Sequence, residues 1–154
     1  MIRLAASLIR LCELIPFALI ALLGRFAMAR TFWDSGQTKL AGAAQCLREF
    51  ACAKLNPFDL APTAVALFES EYKMPFPWFT AHVCALAEFV LPALLVFGLA
   101  SRFSALGLLV MTLVIEIFVY PGAYVLNGTW AAILLMIVKF GPAKISLDQL
   151  ISRR

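Results

Sequence analysis

Arg25, Arg30, Glu88 and Glu116 interrupt otherwise apolar runs, and Lys39 stands just past the first of those runs. An ionised side chain inside hydrocarbon costs about 2.5 to 3.5 kcal/mol on insertion scales, so such groups need partners or water. Counting about 1.5 Å per residue from one membrane face puts Arg25 near 18 Å, Glu88 near 16 Å, Glu116 near 21 Å and Arg30 near 25 Å. Two cations and two anions in one layer predict a buried polar cluster, with Lys39 closing it from outside and Asp34, one turn from Arg30, pairing with that arginine. Such a cluster either fixes helix register by ion pairing, or binds a polar headgroup and relays protons.

The elements that would hold this layer are membrane spans. Of 154 residues, 63% are hydrophobic and 14% charged, against about half and a quarter in a soluble domain. The apolar runs cover residues 14–33, 79–100, 103–120 and 124–140, each near the roughly 20 residues that cross about 30 Å of hydrocarbon. The expectation is an all-α membrane protein: a single domain over residues 1–154, built as a four-transmembrane-helix bundle. A short amphipathic helix, entered at Pro62 and carrying Val65, Leu67, Phe68 and Tyr72, belongs to the first extracytoplasmic segment. Pro75 and Pro77 end it before the second span.

The net charge of +4 does not form a basic stripe with interleaved aromatics, which argues against nucleic acid. Arg3, Arg10, Arg102, Lys144, Arg153 and Arg154 instead flank spans on one side, predicting cytoplasmic N and C termini in a bacterial inner membrane. Trp33, Tyr72, Trp78, Tyr120, Tyr124 and Trp130 then all fall at the opposite face. They form an anchoring belt, or a set of rings able to grip a flat quinone. The N-terminal stretch ending in Ala27-Met28-Ala29 imitates a signal peptide, but Glu13 and Arg25 within it argue for a retained first span.

Cys46 and Cys52 stand in the extracytoplasmic segment with five residues between them. They form a structural disulfide or remain two thiols; their spacing matches neither a redox pair nor a zinc knuckle. Cys12 and Cys84 lie in or beside apolar runs and read as small hydrophobes. The one histidine, His82, excludes a site built from several imidazoles and sits one helical turn from Trp78. No metal site is expected. Pro92 frees a backbone carbonyl four residues earlier, at Glu88, so a kink and a buried carboxylate coincide. Gly24, Gly98, Ala105 and Gly107 allow close helix approach.

These residues, taken in order, resemble the DoxX family of small bacterial membrane proteins. The resemblance rests on Arg25 in the first span, the run Phe32-Trp33-Asp34-Ser35-Gly36-Gln37-Thr38-Lys39, and the mid-span Glu88. It continues in Gly98-Leu99-Ala100-Ser101-Arg102-Phe103, Val119-Tyr120-Pro121 and Gly141-Pro142-Ala143-Lys144-Ile145-Ser146-Leu147-Asp148. Departures are Asn127 where a histidine is common, Ala143 where a second glycine is common, and a longer stretch around Cys46 and Cys52. Ser146-Leu147-Asp148 reads as the cap of a short tail helix.

The resemblance implies a four-span bundle associated with redox systems, including the membrane subunit of a thiosulfate:quinone oxidoreductase. The leading expectation is therefore a membrane subunit, not catalytic alone, in which Arg25, Arg30, Lys39, Glu88 and Glu116 bind a quinone headgroup or relay protons. Electrons would come from a partner, because the sequence has no haem-attachment motif, iron-sulfur cysteine set or nucleotide loop. The alternative is a non-catalytic accessory or scaffold protein for a metal-stress or peptide-modification system, docking a protein partner on its extracytoplasmic segment. A small transporter ranks third, since four spans would require an oligomer.

Overall fold

Prolines and glycines set the helix boundaries. The computed structural model describes residues 10, 12–41, 59–143 and 146–152; Cys46 and Cys52 lie outside them. Helix α1 (Phe17–Gln37) follows Pro16 and stops where the Thr38 hydroxyl donates to the Ser35 carbonyl at 2.7 Å. The short α2 (Pro62–Ser70) and the long α3 (Pro77–Phe97) each begin on proline, whose missing N–H costs nothing in a first helical turn. Gly98 ends α3 at φ +68°, a left-handed conformation that a side chain resists.

Helix α4 (Ser101–Val114) continues as a π-helical turn over Ile115–Val119, and the turn at Pro121 and Gly122 leads into α5 (Tyr124–Phe140). Gly141 and Pro142 stop α5 before the short α6 (Leu147–Ser152). All described regular structure is helical apart from one antiparallel bridge between Leu40 and Leu60. Relative to the boundaries expected from sequence, α1 runs four residues further, to Gln37, because Asp34 to Gln37 are polar yet stay helical.

Helix α1 packs against α3 and α5, α3 against α4, and α4 against α5, so four long helices close a ring. Met28, Phe32, Leu95, Leu108, Leu134 and Ile137 fill its centre toward Gly98. A second cluster, Leu40, Leu60, Phe68, Met74, Ala81 and Ala85, seats α2 and the Leu40–Leu60 bridge over the other end. The short helix expected near Pro62 is present, and it caps the bundle through buried Phe68.

The outward surface is apolar: Phe26, Val90, Leu113 and Leu135 are each more than half exposed. A water-soluble fold hides such side chains, and a bilayer solvates them. Helix α3 and the stretch Ser101–Val119 have the length and apolarity to cross a membrane; Tyr124–Phe140 is apolar but shorter. Helix α1 has the length, but Arg25, Arg30 and Asp34 make it the charged member of the ring.

Of the six Trp and Tyr residues expected at one face, Trp78, Tyr120 and Tyr124 are exposed at the end opposite Gly98. Trp130 instead lines the interior, 5.8 Å from Phe32 between ring centroids, and Trp33 is half-buried on the α1–α3 flank, 4.9 Å from Phe89.

Candidate functional site: a chamber walled by Lys39 and Glu88

The sequence expectation of one layer of four charges does not hold; the charges separate into four places. Gly36, not Arg25, is the residue of α1 whose backbone lies against Glu88. That displaces α1 along α3 by about 16 Å of helix rise from the register that counting from a common plane assumes. Side chains also tilt toward the N-terminus of their own helix, so on antiparallel helices Arg25 and Glu88 point to opposite ends.

Arg25 accordingly serves the Gly98 end. Its Nε donates to the Leu95 carbonyl at 2.7 Å, Nη2 to Val96 at 2.5 Å and Nη1 to Pro142 at 3.3 Å. Those first two carbonyls belong to the last turn of α3, where intrahelical donors run out, although Leu95 O also accepts the Gly98 N–H at 3.2 Å. Asp148 completes the same knot. Its carboxylate accepts the Ala100 and Ser101 N–H groups at 2.7 and 2.9 Å, at the start of α4, and its own N–H donates to Gly98 O at 2.9 Å. Ser146 caps α6 as expected, its hydroxyl accepting the Gln149 N–H at 3.3 Å. Asp148 was expected within that cap and instead caps a different helix.

Glu88 is 2% exposed and forms an ion pair with Lys39, whose Nζ stands 2.7 Å from Oε2 and 3.0 Å from Oε1. The Ser35 hydroxyl donates to Glu88 Oε1 at 3.2 Å and meets Lys39 Nζ at 3.0 Å. Ser35 lies one turn before Lys39 on α1, and Glu88 faces both because Gly36 lets the helices touch: a Cβ there would sit 3.2 Å from the Glu88 Cβ. Closure of the site by Lys39 is as expected; Ser35 is an addition, detectable in hindsight from its spacing of four from Lys39.

Glu116 occupies a third place, inside the π-helical turn. Its Oε1 accepts the Gly122 N–H at 3.1 Å and its Oε2 accepts the Asn127 amide at 2.5 Å. Asn127 is 4% exposed, and its Oδ1 is buried without a hydrogen-bond partner among the described residues. Arg30 is outside the interior altogether, paired with Asp34 at 2.7 Å on the surface of α1.

Lys39, Glu88 and Ser35 wall a cavity of about 680 Å³, which Asn127 also lines. Apolar and aromatic side chains make up most of the remainder, among them Phe32, Phe68, Tyr72, Tyr120 and Trp130. Burial pushes the Tyr72 phenol above its ordinary value, with Tyr120, Glu71 and Glu88 acting in the same direction. It therefore stays a neutral hydroxyl at physiological pH. A second cavity of about 440 Å³ between α4 and α5 contains Glu116 and shares Asn127 with the first. His82 Nδ1 donates to the Trp78 carbonyl at 3.0 Å and its ring lies against that indole; it is buried beside the chamber and does not line it.

A mostly apolar chamber with a few convergent polar groups is the usual form of a site for a small amphipathic molecule. Comparison with known proteins agrees with the membrane character of the chain. The DoxX family model matches residues 20–121. A curated Haemophilus influenzae protein, described as an uncharacterized protein, is 29% identical over 137 residues, covering 84% of this chain and 81% of that one. No solved structure matches.

Proposed function

We propose, from the premise that this chain belongs to the DoxX family, that it is a redox-associated membrane subunit whose chamber holds the headgroup of a quinone. In this reading α1, α3, α4 and α5 all cross a bacterial inner membrane, with both termini in the cytoplasm. The apolar exterior of the four-helix ring supports four crossings. Arg102 and Lys139 near the Gly98 end, against Trp78, Tyr120 and Tyr124 at the other, support the orientation.

The single observation behind the ligand is the buried Lys39–Glu88–Ser35 cluster in the wall of an otherwise apolar, aromatic-lined cavity. A quinone fits these residues. Its flat ring suits Phe32, Tyr120 and Trp130, its carbonyl oxygens suit the Lys39 ammonium and the Tyr72 hydroxyl, and the volume lies within the range of small-ligand sites. When bound, such a group supplies two-electron, two-proton chemistry, with electrons delivered by a protein partner.

The chain's own contribution is to orient and to handle protons. Lys39 Nζ holds a positive charge where ring oxygens gain electron density. Glu88 Oε1, bonded to both Ser35 Oγ and Lys39 Nζ, is the atom that holds or passes a proton. Phe68 and Met74, beneath α2, keep bulk water from that end.

Mass spectrometry of small molecules extracted from gently purified protein tests this. Quinone enriched in the wild type and lost in Glu88→Gln is the expected result. Folded wild type that carries none, and takes up none when ubiquinone or menaquinone is added, overturns the reading and leaves the ion pair a structural one.

A further inference from the structure

The chamber has a neighbour on the side away from Lys39 and Glu88. In the ring order α1, α3, α4, α5, the α4–α5 edge lies opposite the α1–α3 edge that carries those two residues. Along it runs the groove of about 440 Å³, open to the outside of the bundle, where Val110, Leu113 and Tyr124 are each more than half exposed. Its polar groups are engaged elsewhere: the Thr112 hydroxyl donates to the Leu108 carbonyl at 2.9 Å, and the Glu116 carboxylate accepts from Gly122 and Asn127. At Gly128 a Cβ would meet nothing within 4 Å. The groove therefore offers mainly hydrocarbon surface and free space.

Val110 and Asn127 line both the groove and the chamber, and so form the partition between them. Val110 is 55% exposed, so packing does not hold its side chain in one rotamer. Asn127 is held from one side: its amide donates to Glu116, while Oδ1 is buried without a hydrogen-bond partner among the described residues. A buried unpaired oxygen weakens the closed arrangement. Glu116 itself sits in the π-helical turn, a local departure from the α-helical ladder that lets its carboxylate reach α5. By contrast, the groove between α1 and α3 shares no lining residue with the chamber among the described residues.

We infer that the α4–α5 groove holds the hydrocarbon tail of the chamber's ligand, which enters sideways from the bilayer past Val110 and Asn127. This rests on the proposed function for the headgroup and deepens it: the ligand is a tailed quinone dissolved in the membrane, as against a water-soluble ring. A ring whose oxygen meets Lys39 directs its far side toward the opposite edge, where Val110 and Asn127 stand. Continuity with the chamber selects a tail over other occupants. A neighbouring helix, about 10 Å across, could cover the groove but could not continue inward past those two side chains. A polar ligand would find the Thr112 and Glu116 groups already bonded.

The test uses the full chain in phosphatidylcholine nanodiscs and two probes with the same ring, decylubiquinone and the corresponding tailless dimethoxy-methyl-benzoquinone. Gly128→Trp, which fills the groove from a position with open space, should weaken decylubiquinone binding at least about tenfold relative to wild type and leave the tailless ring within about twofold. Ala93→Trp, which fills the α1–α3 groove, should change neither. As a second readout on the unaltered protein, decylubiquinone carrying a diazirine at its tail end should label α4 and α5 on illumination, read by peptide mass spectrometry. That label decides if Gly128→Trp loses both probes: in the groove it upholds the inference, elsewhere it overturns it. Gly128→Trp that holds decylubiquinone as wild type does, or an Ala93→Trp that loses it, also overturns the inference, while binding of the tailless ring leaves the headgroup reading standing. Wild type that binds neither probe overturns both, so the two failures are distinguishable.

Discussion

Arg25 and Lys39 are both cations of α1, yet they do different work. Arg25 uses its donors on backbone carbonyls at the end of α3 and on Pro142, in a place where the chain is packed and Gly98 lies against the guanidinium. Lys39 uses its charge on a side-chain carboxylate in the wall of a cavity. Backbone carbonyls cannot change protonation or leave, so the first arrangement can only hold helices together. A carboxylate, hydroxyl and ammonium beside open volume can exchange partners with a ligand. In the proposed reading, charge within the bundle can serve a ligand only where there is space next to it.

Removing Arg25 should give the largest effect. Arg25→Leu strands the Val96 carbonyl in an apolar setting, takes a donor from Leu95 O and leaves Asp148 without its neighbouring cation, and a loss of about 3 kcal/mol or more is expected. Thermal unfolding in detergent reads this, and Arg25→Lys should recover only part, because one ammonium cannot reach all three carbonyls. A wild-type melting temperature for Arg25→Leu would erase the contrast between the two regions.

Glu88→Gln should cost less, about 1 to 2 kcal/mol, because Lys39 remains partly exposed and can turn toward water. The contrast sharpens if this variant stays folded while Arg25→Leu does not. Asp148→Ala should follow with about 1 kcal/mol, the usual worth of a lost helix N-cap, although the cap comes from a separate helix. Proteolysis of the C-terminal segment should then accelerate, since Asp148 holds it to α4.

The smallest effect concerns Tyr72. Its folded pKa is raised above the model-compound value of 10.0. Its contribution to stability is therefore fully present below pH 10 and is lost as pH rises through the folded value. Phenolate absorbance should show one tyrosine ionising later than the others, and Tyr72→Phe should remove that late component. A late component that survives in Tyr72→Phe would place the shift on another tyrosine.

Much of the bundle was readable from hydrophobic run lengths. The runs locate α3, α4 and α5 to within a few residues, because a bilayer demands long apolar helices whatever their packing. Pro62 announced α2, and the spacing of four between Arg30 and Asp34 announced their contact. The candidate site was legible only in part: Glu88 and Lys39 were identified, but Arg25, Arg30 and Glu116 were wrongly gathered around them. Depth counting treats helices as rods starting from one plane, whereas Gly36 lets α1 slide against Glu88 and tilts the remainder of its charges elsewhere. Asn127 stood out in sequence only as a departure from a family pattern, and its bond to Glu116 depends on the π-helical turn.

Composition and run length thus determine a membrane-embedded helical chain, because burial of apolar surface is a one-dimensional property that neighbours along the chain express directly. The pairing of its charges is not of that kind. Whether Arg25 meets a carboxylate or a carbonyl depends on helix offset, on the antiparallel directions of two side chains and on a single glycine contact. These are relations between segments about seventy residues apart, and they exist only once the helices have packed.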